Sequence, residues 1–184
     1  MGTRPATAGD VETLVTMHTD ALEESRNSRG GLNLSAELSR GIDTTAAAES
    51  IGSELHDADV EVIVGTLSPK GRQEPMSGPD EEAVLGYCVV DTAPRRPDGP
   101  PIAPTARLRE LWVEPGARRI GLGSALLEAA IEVAVDRGCA GIESVALPGD
   151  RATKNFFEDH AMVARAIIVH RDLRPPDSSG IASS

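Results

Sequence analysis

The residues best suited to chemistry in this chain lie close together, between Glu110 and Ser124. The stretch VEPGARRIGLGSALLEAAI, from Val113 to Ile131, places the pair Arg118 and Arg119 and the glycines Gly121 and Gly123 directly ahead of an apolar-periodic helix. A helix start leaves main-chain N–H groups unpaired and carries a partial positive charge, so such a turn is a natural cradle for an anion. Gly121 and Gly123 let the main chain come close, and the two arginines add positive charge on the approach. The same two glycines would also serve a tight strand-to-helix turn that binds nothing.

Three kinds of phosphate-holding turn can be compared with it. A kinase-type phosphate loop needs Gly-Lys followed by Ser or Thr, which is missing. A dinucleotide fingerprint wants a third glycine where Leu126 stands and a place in the first βαβ unit; Glu143 lies at a fitting distance for a ribose contact. The third possibility is Arg118-x-x-Gly121-x-Gly123, with Leu111-Trp112-Val113-Glu114-Pro115 before it and Leu126-Leu127 after it.

The elements that must position this turn follow from periodicity. Thr3 to Thr7 reads as a short edge strand, and Thr7-x-x-Asp10 as a capping pair opening a helix with Val11, Leu14, Val15 and Leu22 on one face. Residues 25–35, SRNSRGGLNLS, read as a loop in which Arg26 and Arg29 are solvated, and Thr44-Thr45 opens a second helix through Ile51 and Leu55. VEVIVGTL (Val60 to Leu67) alternates on a two-residue period, whereas AVLGYCVVDT (Ala83 to Thr92) is nearly continuously apolar, so the two are predicted to pair. Between and after them run SPKGRQEPMSGPDEE and APRRPDGPPIAPT, exposed connections rather than domain linkers. The remaining elements are a strand at ARLRELWVEP, a helix from Gly121 to Gly138, a strand at GIESVALP, a short helix from Asp150 to His160 and a last strand at VARAIIVHRDL. The order is α/β with a mixed sheet. Residues 1–174 are expected to form one domain, and the Pro/Ser-rich residues 175–184 a disordered tail.

Composition narrows the function. Asp and Glu number 29 against 18 Lys and Arg, a formal charge of −11, which repels nucleic acid and anionic membranes and suits a cationic partner. With one Trp, one Tyr and two Phe, no aromatic platform for stacking bases is available. Cys88 and Cys139 stand apart within apolar segments, as core thiols in a reducing, cytoplasmic setting. The N-terminus carries no hydrophobic leader, and no window is long and apolar enough for a membrane span. His18, His56, His160 and His170 lack metal-ligand spacing, so no metal is assigned.

Together, the Arg-x-x-Gly-x-Gly turn, the preceding Leu-x-Val-x-Pro strand end and the following Leu-Leu helix resemble the GNAT superfamily of acetyl-CoA-dependent N-acetyltransferases. The likeness extends over residues 4–173 and is specific from Leu108 to Met162. It implies a single α/β domain with a mixed, mostly antiparallel central sheet flanked by helices. It also implies acetyl-CoA as co-substrate, with the main chain of Leu111, Trp112 and Val113 pairing with the pantetheine arm. The N–H groups of Arg119, Ile120, Gly121, Leu122, Gly123 and Ser124, with Arg118 beside them, would hold the pyrophosphate. For Leu126, Leu127 and Ala130 helix packing is the better reading.

In such enzymes an amine attacks the thioester directly, which calls for a group that takes the amine's proton. Glu110 is the first candidate and Glu143 the second, although each is also an ordinary strand carboxylate; His170 is a distant third. Two positions depart from the family's pattern. Phe157 stands where many members carry a Tyr that protonates the departing sulfur, and Tyr87, the sole tyrosine, is a poor substitute from its place in the strand. Asp150 stands in place of an Asn near the pantetheine and is better read as a helix cap. The expected activity is acetyl transfer to a primary amine of cationic character in a ternary complex. The vacancy at Phe157 raises the alternative of a non-catalytic acyl-CoA sensor or docking module. A homodimer is left open.

Overall fold

The computed structural model describes residues 1–25, 43–68, 82–93, 104–147, 149–167 and 169. Along the chain run β1 (Gly2–Pro5), a 3₁₀ turn (Ala8–Asp10) leading into α1 (Val11–Ser25), α2 (Thr44–Glu54), β2 (Val60–Leu67) and β3 (Ala83–Asp91). They are followed by β4 (Thr105–Val113), a second 3₁₀ turn (Pro115–Ala117), α3 (Leu122–Asp136), β5 (Gly141–Glu143) and α4 (Arg151–Asp159). The strands form one sheet in the order β1-β2-β3-β4-β5, antiparallel except for the parallel pair β4 and β5. This is the mixed, mostly antiparallel sheet flanked by helices that the sequence predicts.

The central strand β3 is nearly continuously apolar because helices cover both faces of the sheet. On β2 and β3, Ile63, Cys88 and Val90 point into a core built with Leu122, Leu126, Leu127 and Ala130 of α3. Their neighbours Val62, Val64, Tyr87 and Val89 point the other way, against Leu14 and Met17 of α1 and Ile51 of α2. The period-two alternation of a strand is therefore present but hidden, since both of its faces are buried. Gly65 lets α3 pack close against the sheet: a Cβ there would lie 2.8 Å from a methyl of Leu122.

The first helix is opened by the pair foreseen in the sequence. The Asp10 carboxylate accepts from the Thr7 N–H at 2.7 Å and the Thr7 hydroxyl at 2.8 Å, and both Arg4 terminal nitrogens donate to it at 2.9 Å. The Arg4 guanidinium, more than any other contact, holds the Asp10 carboxyl down to about 2. Edge strand, helix start and sheet are thus tied at one point.

Two expected strands are not realised as written. GIESVALP contributes only Gly141 to Glu143, because β4 and β5 part beyond the pair Arg107 and Glu143. The segment VARAIIVHRDL forms no strand over its described residues, 163–167 and 169. A strand needs a partner ladder for its main-chain groups, and the short β5 does not provide one; Val163, Ile167 and Val169 stay 75%, 89% and 90% exposed. The loop holding Arg26 and Arg29, the connections 69–81 and 94–103, His170 and the expected tail lie outside the described residues. Among the described residues no helix is long and apolar enough to cross a membrane.

Candidate active site

The site exists because β4 is irregular. Its pairing with β3 shifts between Val89 and Val90, so that Glu110 faces Val89 while Leu108 faces Val90, leaving Arg109 as the extra residue of a β-bulge. A bulge sharpens local twist and bends its strand, and past it the ladder to β5 ends; a single side-chain bond, Ser144 Oγ to the Leu108 carbonyl at 3.0 Å, spans the start of the gap. The bulge also alters which way side chains point. Leu108 and Leu111 both reach the α3 side of the sheet, and the two residues between them, Arg109 and Glu110, reach α2 and α1 on the other.

The parted strands open a cleft of about 980 Å³. Leu111, Trp112, Val113, Arg118, Arg119, Gly121, Gly123, Ser124, Asp150 and Phe157 line it, together with Glu110. Four arginines (Arg109, Arg118, Arg119, Arg151) face three carboxylates (Glu24, Glu110, Asp150) along its wall, so the surplus of acid that marks the whole chain is reversed here.

At one end lies the glycine turn. Gly121 caps α3 with φ +93°, in the left-handed region that costs a side-chain-bearing residue about 1–2 kcal/mol. Arg119 adopts φ +66° as well. The first main-chain bond of the helix runs from the Ala125 N–H to the Gly121 carbonyl at 3.0 Å, so the earlier N–H groups have no partner within the helix. Successive amides in such a turn form an anion-binding concavity. Ile120 and Leu122 do not line the cleft: Ile120 is exposed, and the Leu122 side chain is in the core, so each could offer only its N–H.

Arg118, expected beside the phosphate, is paired within the protein. Its Nε donates to the Val113 carbonyl at 2.8 Å, and its two terminal nitrogens grip Glu24 of α1 at 2.7 and 2.5 Å. Trp112 Nε1 donates to the same carboxylate at 3.2 Å, and the guanidinium lies 6.0 Å from the centre of the indole. Hydrogen bonding and the charge of Arg118 hold the Glu24 carboxyl below its ordinary range. The cation therefore ties the turn to α1 and leaves the main-chain amides and Arg119 facing the cleft.

At the other end Glu110, 11% exposed, accepts from the Tyr87 hydroxyl at 2.7 Å and lies 3.3 Å from His18 Nδ1, both through Oε2. Three protonic groups from β3, β4 and α1 thus meet on the floor of the cleft. Glu143 is not among them: it is exposed at the end of β5, opposite Arg107, and does not line the cleft.

Neither His18 nor Tyr87 was singled out by spacing, since 92 and 23 residues separate them from Glu110. The available signal was an apolar helix face broken by one histidine and a buried strand broken by one phenol. Asp150 caps α4, its carboxylate accepting from Thr153 N–H at 3.0 Å and Thr153 Oγ1 at 2.7 Å. Phe157 is buried in the α3 side of the core and meets Phe156 edge-on at 5.4 Å. Ser124 Oγ lies 2.9 Å from His160 Nε2, whose Nδ1 donates to the Phe156 carbonyl at 2.7 Å; in the neutral ring the serine hydroxyl is then the donor to Nε2. Among the described residues no three His, Cys, Asp or Glu come together as metal ligands would.

Comparison with known proteins bears on this arrangement. A Bacillus halodurans protein superposes with TM-score 0.71 at 19% identity, covering 95% of this chain and 100% of its own. The aminoglycoside N-acetyltransferase AAC(6')-Iy, in complex with CoA, superposes with TM-score 0.65 at 12% identity, covering 94% and 95%. An Agrobacterium tumefaciens protein named for an acetyltransferase gives 0.64 at 15% identity, covering 94% and 99%. At these identities the likeness is one of fold. No curated protein matches the chain in sequence. The model of the acetyltransferase (GNAT) family matches residues 52–162, from α2 through the glycine turn to the end of α4 and more than half of the chain. The chain belongs to the acetyltransferase (GNAT) family.

Proposed function

We propose that the protein is an acetyl-CoA-dependent N-acetyltransferase that acts on a primary amine by direct attack in a ternary complex. The observation that carries this reading is the cleft itself, which has an amide-lined, left-handed turn at one end and a largely buried carboxylate, Glu110, at the other. The two ends suit the two halves of an acyl-CoA molecule, a diphosphate and a reactive thioester joined by an extended arm. A Cβ at Gly121 would be strained, and the amides ahead of Ala125 are free of helix partners, so the turn fits a phosphate group.

In this reading the main-chain amides from Arg119 to Ser124 hold the diphosphate, and Arg119 and Arg151 add charge at the rim. The open edge of β4 at Leu111, Trp112 and Val113 pairs with the pantetheine arm. The Val113 carbonyl, already accepting from Arg118, retains one lone pair. Acetyl-CoA supplies the acetyl group as a thioester. An N–C bond forms as the C–S bond breaks, one proton leaves the amine nitrogen, and one reaches the sulfur.

Glu110 takes the first proton, directly or through water. Tyr87 and His18 hold its Oε2 on the cleft floor. Phe157 has no proton for the departing sulfur, which leaves as thiolate and is protonated by water. The cytoplasmic setting remains part of this proposal, as does an acceptor whose amine carries positive charge in solution, which the acidic surface would attract.

The test is to follow free thiol while the protein is incubated with acetyl-CoA and a panel of primary amines. Thiol release that requires an amine supports the reading. Uptake of acetyl-CoA with no release across the panel would leave a sensor or docking module instead.

A further inference from the structure

Regular strand alternation would send Arg109 and Glu110 to opposite faces of the sheet. The bulge in β4 sends both to the same face, side by side in the cleft. We propose that the pair is a two-charge acceptor subsite: Glu110 meets the amine, and Arg109 binds a carboxylate carried a few bonds away on the same molecule. The acceptor is then an amino-carboxylate such as a free amino acid, rather than a polycation. This rests on the acetyl-transfer reading above and gives it a substrate class.

Arg109 is placed for that role. Its side chain is 17% exposed and lines the cleft. Among the described residues a single N–H, on Nη2, is engaged, donating to Glu54 Oε1 of α2 at 2.7 Å. A guanidinium has five N–H groups in a planar fork that matches a carboxylate in bidentate fashion, so four remain for a ligand. Glu54, 10% exposed, also accepts from Ser50 Oγ at 3.3 Å and so fixes the fork without using it up. A tie between β4 and α2 alone would not need Arg109 beside Glu110. A polycation would bring like charge against the fork, whereas a zwitterion answers both residues with opposite charges.

Substrate pairs that differ only in the carboxylate test this. Thiol release from acetyl-CoA is measured with a panel of L-amino acids and β-alanine, each beside its carboxamide, and with simple alkylamines and spermidine. The expected result is that some acids are turned over with kcat/KM about tenfold or more above their amides. Arg109→Gln then raises KM for those acids by about tenfold and leaves the amides within about twofold, while Arg109→Lys restores part of the difference.

Amides or spermidine turned over as well as the best acid by the unmodified protein would overturn the subsite, with no variant needed. So would an equal loss on acids and amides in Arg109→Gln, which is what a purely structural tie to Glu54 predicts. No thiol release with any amine of the panel would instead overturn the acetyl-transfer reading, and the subsite with it.

Discussion

Replacing Glu110 by glutamine tests the chemistry with little change in shape. The amide keeps the length of the side chain and an oxygen that can accept from Tyr87, now at 2.7 Å, but it has neither the negative charge nor the capacity to take a proton. Weakening two contacts to a carboxylate that is 11% exposed costs about 1–2 kcal/mol of fold stability, too little to unfold an ordinary domain. A positioned base contributes about 10²- to 10⁴-fold to rate, equivalent to about 3–5 kcal/mol of barrier. The glycine turn lies at the other end of the cleft and is untouched. Steady-state thiol release should therefore show kcat lower by at least about a hundredfold, with KM for acetyl-CoA within about twofold of the unmodified protein. A variant that turns over within about threefold would remove Glu110 from proton transfer.

Gly121→Glu should abolish acetyl-CoA binding in calorimetry, because it puts a strained residue and a negative charge where φ is +93°. Gly121→Ala, with strain of about 1 kcal/mol and no charge, should weaken binding far less, and equal losses would argue against an anion at the turn. Asp10 should stabilise the fold in a pH-dependent way. Its carboxyl is held at about 2 in the fold against an ordinary 3.8, so its contribution of about 2.5 kcal/mol is complete above about pH 4 and is lost as the pH falls through about 2. Urea unfolding of Asp10→Asn should show that deficit at neutral pH and a closing gap in acid; a gap independent of pH would refute the assignment. Burial pushes the Cys88 thiol up to about 12, so a thiol reagent at pH 8 should modify Cys139 in the folded protein and Cys88 only after unfolding. Equal rates at both would contradict the packing of Cys88 against α3.

What could be read from the sequence was whatever is encoded locally. The Thr7 and Asp10 pair, the capping role of Asp150, the span of β2 and the glycine turn each depend on residues a few positions apart, and each formed as expected. The α3 face of Leu126, Leu127 and Ala130 proved to be core, as its spacing indicates. The floor of the site was not legible, because the meeting of Tyr87, Glu110 and His18 depends on a strand register and on a one-residue bulge that no local pattern announces. The same bulge explains why Arg109 drew no notice; Glu143, paired with Arg107 at the end of β5, lies outside the cleft. The salt bridge from Arg118 to Glu24 joins positions 94 apart, so no local pattern announces it. The expected last strand shows the opposite failure: VARAIIV has strand composition, but its described residues have no ladder to join.

The central claim is that the amides ahead of α3 bind the diphosphate of an acyl-CoA. Isothermal titration of the folded protein with coenzyme A tests it most directly, with the Gly121→Glu variant as reference. The account predicts one site per chain with Kd below about 1 mM, the upper end of ordinary substrate affinities, and loss of that site in the variant. No heat of binding from well-folded protein at millimolar coenzyme A, or undiminished binding by the variant, would contradict it.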